Sequence, residues 1–354
     1  MRAFLLSLSF AAACLCAQNA APPSARQPAA AKPAGPEQLP APIQVEVNEV
    51  IVPVTVTDDK GRFVSDLDQQ DFRILDEGRE QKISFFTRER GQPVVIGFLI
   101  DLSNSTRIQW KHFQEATTEL MFHLLPGDKR FSGFLISFSN DAELLVDTTT
   151  DSEKLVEKVR RMKPGGGAAL YDAIYTACTN RKLVKGEPIE PRRILIIIGD
   201  GHDTASKHSL EEVLEIAQRQ LVTIHAMSTV SFGFSSDGMK SLERLAGETG
   251  GRVMYPLNNL YKDVSGYLST PSDEGNFAYK VGTGGYAAEI AQGIVNAVAA
   301  VAGEVTTQYI IRYIPDYGPN ARPNNKVFRN IDVRIANLPN VRIRARKGYY
   351  PANP

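Results

Sequence analysis

Apolar positions along this chain follow three different rhythms. In residues 45–86 they alternate. Val50, Val52, Val54 and Val56 are each separated by one residue, which places all four on one face of a strand. Asp58-Asp59-Lys60-Gly61 is a turn signal, and residues 72–75 and 83–86 add short strands. From residue 93 the rhythm changes to continuous apolar runs. Residues 94–100 and 194–198 read as strands buried on both faces, and 131–138, 222–227 and 252–255 as further strands. Between them lie helical spacings: Trp110, Phe113, Leu120, Met121 and Leu124, then residues 152–162, 170–184, 210–221 and 239–249. Strands alternating with helices of these lengths predict an α/β fold, doubly wound on a mainly parallel sheet.

Alternation returns at the end of the chain. Tyr309, Ile311 and Tyr313, then Ile331, Val333 and Ile335, then Val341, Ile343 and Ala345 predict a second β-rich unit, with the Gly-, Pro- and Asn-rich residues 316–325 as a hairpin loop. A long helix over about 286–305 precedes it. Residues 258–285 show no period. The expected organisation is therefore a β-unit at 44–92, an α/β domain at 93–265, an irregular segment and helix at 266–305, and a β-unit at 306–354. Each β-unit is too small for a full core, so the two are expected to pack as one composite layer. The first is net acidic and the second net basic, which would orient them. Arg342, Arg344 and Arg346 alternate with apolar residues and read as the solvated face of a strand.

Composition narrows the class. The 354 residues carry 40 Lys+Arg against 40 Asp+Glu, a balance that argues against a nucleic-acid partner. Met1-Arg2 followed by an apolar run to Ala17 reads as a signal peptide over 1–20, and the Ala/Pro-rich residues 21–43 as a tether. The protein is expected to be exported, to the periplasm, the cell surface or the medium. Residues 290–305 come nearest to a membrane span, but Asn296, Gly303 and Glu304 favour a buried helix, so no transmembrane helix is expected. Removal of the signal would take Cys14 and Cys16 with it and leave Cys178, in the 170–184 helix, as a core thiol.

The chemistry concentrates at strand ends. Asp101-Leu102-Ser103-Asn104-Ser105 follows the 94–100 strand, Pro164-Gly165-Gly166-Gly167-Ala168-Ala169 opens a helix, and Gly199-Asp200-Gly201-His202-Asp203 follows the 194–198 strand. Open α/β sheets bind ligands outside the carboxyl ends of their strands. Two carboxylates and two hydroxyls gathered there make an all-oxygen set suited to a hard divalent cation.

Asp101-x-Ser103-x-Ser105, the glycine loop before Ala169-Leu170-Tyr171-Asp172, and Asp200-Gly201 resemble the metal-ion-dependent adhesion site of a von Willebrand factor type A (vWA) domain. With its flanking units, the chain is similar to secreted vWA-related proteins of acidobacteria. The resemblance implies that Ser103 and Ser105 coordinate the ion through their hydroxyls, and that Asp101 and Asp200 act directly or through water. It implies Mg²⁺, or Mn²⁺ or Ca²⁺, as cofactor, and a protein or other carboxylate-bearing ligand as partner. One residue departs from the pattern: Ala168 stands where the family usually has Thr.

The resulting expectation is an exported binding module rather than an enzyme. Two other readings remain. A metal-dependent phosphohydrolase would use Asp101, but phosphatases of the Asp-x-Asp kind need a second Asp where Ser103 stands. A degenerate vWA scaffold would bind partners without metal, as Ala168 suggests. His202, Asp203 and Ser206 do not form a serine-hydrolase signature, and Gly-x-Ser-x-Gly is absent.

Overall fold

The structure is a computed structural model that describes residues 49–88, 93–107, 110–183, 191–230, 237–256, 283–318, 324–336 and 338–351. The expected signal peptide and Ala/Pro tether lie outside the described residues, as does most of the expected irregular segment. No helix among the described residues is long and apolar enough to cross a membrane.

The chain enters through β1 (Val50–Thr57), β2 (Phe72–Asp76), β3 (Arg79–Gln81) and β4 (Ile83–Thr87). Its middle alternates β5 (Val94–Asp101), α1 (Trp110–Leu124), β6 (Phe131–Phe138), β7 (Ala142–Thr149), α2 (Ser152–Arg161), α3 (Leu170–Thr179), β8 (Arg192–Gly199), α4 (Leu210–Arg219), β9 (Thr223–Ser228), α5 (Asp237–Thr249) and β10 (Val253–Met254). It closes with α6 (Thr283–Thr306), β11 (Tyr309–Tyr313), β12 (Arg329–Ile335), β13 (Arg342–Ala345) and β14 (Gly348–Tyr349).

The central sheet has the order β10-β9-β8-β5-β6-β7 and is parallel except for β7, which runs antiparallel to β6. Every residue of β5 is buried because helices cover both faces of the sheet. Val94, Ile96, Phe98 and Ile100 pack with Phe113, Leu120, Val156 and Val298 of α1, α2 and α6. Val95 and Leu99 pack with Ile174, Val213 and Leu245 of α3, α4 and α5. Full burial of each such side chain contributes about 1.5–3 kcal/mol. Strand order reverses on either side of β5, so the crevice between the ends of β5 and β8 is the topological switch point.

The remaining strands form two four-stranded sheets, β13-β1-β11-β4 and β14-β12-β2-β3. Each mixes strands from both ends of the chain. β1 lies between β11 and β13, β11 also pairs with β4, and β2 pairs with β12, all antiparallel. Val50, Val52, Val54, Val56, Phe72 and Ile74 from the first segment share a core with Tyr309, Ile311, Tyr313, Ile331 and Val333 from the last. Inside this core Asp76, fully buried, accepts hydrogen bonds from Tyr313 (3.0 Å), Tyr349 (2.8 Å) and Arg329 (Nε, 2.8 Å).

Several sequence expectations need correction. β1 is buried on both faces, because Thr55 and Thr57 are also covered; Gln308 beyond α6 donates to Thr55. The expected hairpin over 316–325 joins strands of two different sheets, since β11 pairs with β1 and β4 while β12 pairs with β2 and β14. The 170–184 helix ends at Thr179 and is followed by a 3₁₀ turn at Arg181–Leu183. β3, β7 and β14 were not anticipated; the first and last have only three and two residues. The basic C-terminal strand is solvated only in part: Arg342 is exposed, but Arg344 and Arg346 are not. Arg344 pairs with the fully buried Glu304 of α6, which also meets Arg252 at 3.6 Å, and Arg346 is only 2% exposed. Cys178 is free and buried, and burial pushes its thiol up to about 12, so it is inert packing.

Candidate functional site

Asp101 is the last residue of β5, and Asp200 follows β8 directly, so adjacent parallel strands deliver both carboxylates to the switch point. Both are buried, at 1% and 7% exposure. The register allows this only with glycine at 199. A Cβ there would lie 2.7 Å from the Asp101 Cβ and 2.8 Å from its Oδ2. Gly201 is needed for a different reason: its φ is +82°, and a Cβ would stand 2.2 Å from the Gly238 carbonyl at the start of α5.

The Asp101 carboxylate is half occupied. Oδ1 accepts the Ser103 amide at 2.7 Å, while Oδ2 is buried with no hydrogen-bond partner. Burial pushes its pKa up to about 6; its bonds from Ser103 oppose that shift and the Asp200 charge adds to it. The Ser103 and Ser105 hydroxyls lie 2.7 Å apart, Ser103 buried and Ser105 exposed. Ser103, at the head of the Asn104–Thr106 turn, makes no side-chain cap, so the loop is not explained as helix capping. Asp200 Oδ1 accepts the His202 amide at 2.9 Å, with His202 Nδ1 at 3.3 Å.

The glycine loop is tied to both strand ends. Gly165 donates to the Leu102 carbonyl (2.6 Å) and Asn104 to that of Gly166 (3.1 Å). Ala168 donates to the Thr204 hydroxyl (3.0 Å), while Thr204 and Ala205 donate back to the Ala168 carbonyl (2.8 and 3.0 Å). The three segments singled out from the sequence therefore meet. Sequence reasoning missed two further contributors. Asn140, between β6 and β7, accepts the Gly167 amide at 2.7 Å, and Thr204 backs Ala168. Neither sits in a pattern that would have marked it.

The loop after Asp200 also explains how α3 begins. Its N-cap, Ala169, has no side chain able to cap. Instead Asp203 Oδ2 accepts the Tyr171 amide (2.9 Å) and Ser206 Oγ the Asp172 amide (2.9 Å), supplying the missing acceptors from a distant segment. Ser206 donates to Asp203 at 2.6 Å. His208 instead contacts Asp172 at 2.6 Å and stacks on Tyr175 at 3.7 Å. Burial opposes the Asp172 charge, but the bonds from His208 and Lys207 outweigh it and hold the carboxyl below its usual range. Ser206 and Asp203 thus serve the start of α3, and His208 is engaged by Asp172 rather than by the Ser206 hydroxyl.

The donor set fits a hard cation. An unpartnered buried carboxylate oxygen, a second carboxylate and two touching hydroxyls supply oxygen and little else. Among the described residues no group of three or more His, Cys, Asp or Glu gathers at metal distance, so any ion here would rely on hydroxyls and water as well.

The family model of the von Willebrand factor type A domain matches residues 96–263. No curated protein matches the chain. Among solved structures, the chain is similar to an aerotolerance-related membrane protein of Bacteroides fragilis at 16% identity and a TM-score of 0.37, over 58% of this chain and 98% of that one. It is similar to BatB of Bacteroides thetaiotaomicron at 15% identity and a TM-score of 0.36, over 56% and 99%. It is also similar to proximal thread matrix protein 1 of the mussel byssus, solved with a zinc-occupied adhesion-site motif, at 16% identity and a TM-score of 0.37, over 48% and 43%.

Proposed function

Because residues 96–263 match the von Willebrand factor type A domain family, we propose that the chain is an exported binding module whose switch-point face holds a divalent cation and, through it, a carboxylate-bearing protein or other acidic ligand. Asp101, Ser103, Ser105 and Asp200 hold the ion, directly or through water. The observation that carries this reading is the Asp101 carboxylate. Its Oδ2 is buried without a partner beside a second buried carboxylate, an arrangement a cation relieves and an empty crevice does not. A bound cation supplies charge neutralisation and open coordination positions for an incoming carboxylate. The protein positions Asp101 over Gly199, holds the serine loop against the glycine loop, and leaves Ser105 at the surface where a partner approaches. Export is supported by the residues at the start of the chain.

A metal-free scaffold is the second reading, favoured by Ala168. That residue is buried and brings a methyl group to the loop where a hydroxyl would serve a cation. Titration with Mg²⁺ and Mn²⁺ separates the two. If the ion binds, the thermal midpoint rises with metal, falls back with chelator, and ceases to respond in Asp101→Ala. A ligand at 100 times its Kd stabilises by about 2.7 kcal/mol, well within detection. Identical melting with metal and with chelator supports the scaffold instead.

A further inference from the structure

On the side of the molecule where β1 meets the start of β8, a cavity of about 40 Å³ lies between the sandwich and the α/β domain. Ile51 and Pro53 of β1, Arg192 and Arg193 of β8, Gln220 after α4, and Arg346 after β13 line it. No described lining residue is acidic. Arg346 is 2% exposed, and its Nε and Nη1 are buried without a hydrogen-bond partner. Arg192 donates to the Gln308 side chain and, at 3.3 Å, to the Val305 carbonyl, both neutral. Neither Arg192 nor Arg346 has a carboxylate partner among the described residues, although the half-buried Arg329 and Arg344 do. Burial pushes both guanidinium groups down to about 10, which still leaves them charged at neutral pH.

A guanidinium does not shed its proton to escape burial, so positive charge at Arg192 and Arg346 that no described carboxylate meets calls for a counter-charge. Guanidinium groups match oxyanions better than other ligands, because their planar donors meet several oxygens at once. The space is that of about three water molecules, enough for one tetrahedral oxyanion and too little for a nucleotide. We propose that this cavity is an anion site that takes inorganic phosphate or sulfate, held by Arg346 and Arg192, and that the bound anion pins the sandwich to the α/β domain. It lies apart from the switch-point crevice and shares none of its residues.

The test uses the full chain in chelator, so that the metal question is silent. Melting is followed with inorganic phosphate, with sulfate, and with sodium chloride at matched ionic strength. The expected result is a midpoint about 2–4 °C higher in 10 mM phosphate or sulfate than in matched chloride. A response to only one of the two oxyanions identifies which one the site holds. Arg346→Met should abolish that difference and should also raise the midpoint of the anion-free protein, since it removes an unpaired buried charge. Arg346→Lys keeps the charge, and should retain a weakened response. Equal melting in chloride and in both oxyanions overturns the proposal. So does an anion-free Arg346→Met protein that melts lower than the parent, because the arginine would then be paired within the chain.

Discussion

Asp76→Asn should weaken the sandwich more than any other single isosteric change in it. The parent carboxylate is fully buried and accepts from three groups that reach it from β11, β12 and β14: Tyr313 at 3.0 Å, Tyr349 at 2.8 Å, and Arg329 through Nε at 2.8 Å and Nη2 at 2.6 Å. Burial first, then the nearby carboxylate for Tyr313 and the Tyr317 side chain followed by that carboxylate for Tyr349, pushes both tyrosine hydroxyls well above the usual phenol range, so they remain donors. An amide nitrogen at Oδ2 would face two O–H donors, and the negative charge that pairs Arg329 would be gone. A hydrogen bond to a charged group contributes about 1.5–3 kcal/mol, and breaking one side of a buried ion pair costs about 3–5 kcal/mol. The contacts share one carboxylate and do not add, so the expected loss is about 3–5 kcal/mol. Urea unfolding followed by circular dichroism measures it. Tyr349→Phe alone should cost about 1–2 kcal/mol, and much less in the Asp76→Asn background, because its acceptor has already been lost. A loss under about 1 kcal/mol for Asp76→Asn, or additive costs in the double variant, would refute the reasoning.

Three further outcomes concern the switch point and a buried histidine. Ala168→Thr should tighten metal binding by restoring a hydroxyl to the glycine loop, read by calorimetric titration; unchanged affinity would place the ion away from that loop. Gly199→Ala should lower the thermal midpoint and remove its metal response, because the added methyl group would occupy the space of the Asp101 side chain. Burial, partly opposed by Glu304, pushes the His225 pKa down from 6.5 to about 4. The unfolded chain then binds the proton first, so stability should fall by about 3 kcal/mol as pH drops from about 6.5 to about 4, and His225→Leu should flatten that limb in pH-dependent unfolding.

Much of the α/β domain was legible in the sequence. The runs at 94–100 and 194–198 could only be strands covered on both sides, and their ends carried Asp101 and Asp200. The spacing of Ser103, Ser105 and the glycine loop marked the candidate site, because chemistry at a switch point comes from short segments next to strand ends. The partners of the terminal strands were not legible residue by residue. Alternation tells which face of a strand is apolar but not what lies against it or beside it. Thus 316–325 read as a hairpin, although β11 and β12 belong to different sheets. The fate of charged residues was hidden for the same reason. Arg344 and Arg346 sit in a pattern typical of an exposed edge, and only the arrival of α6 and β8 against that strand pairs Arg344 with Glu304 and buries Arg346. The acceptors at the start of α3, and the anchoring of the glycine loop by Asn140 and Thr204, are bonds between residues 27 to 36 positions apart. Local periodicity records burial within one element. Which distant side chain completes a cap or opposes a charge is decided when the elements pack.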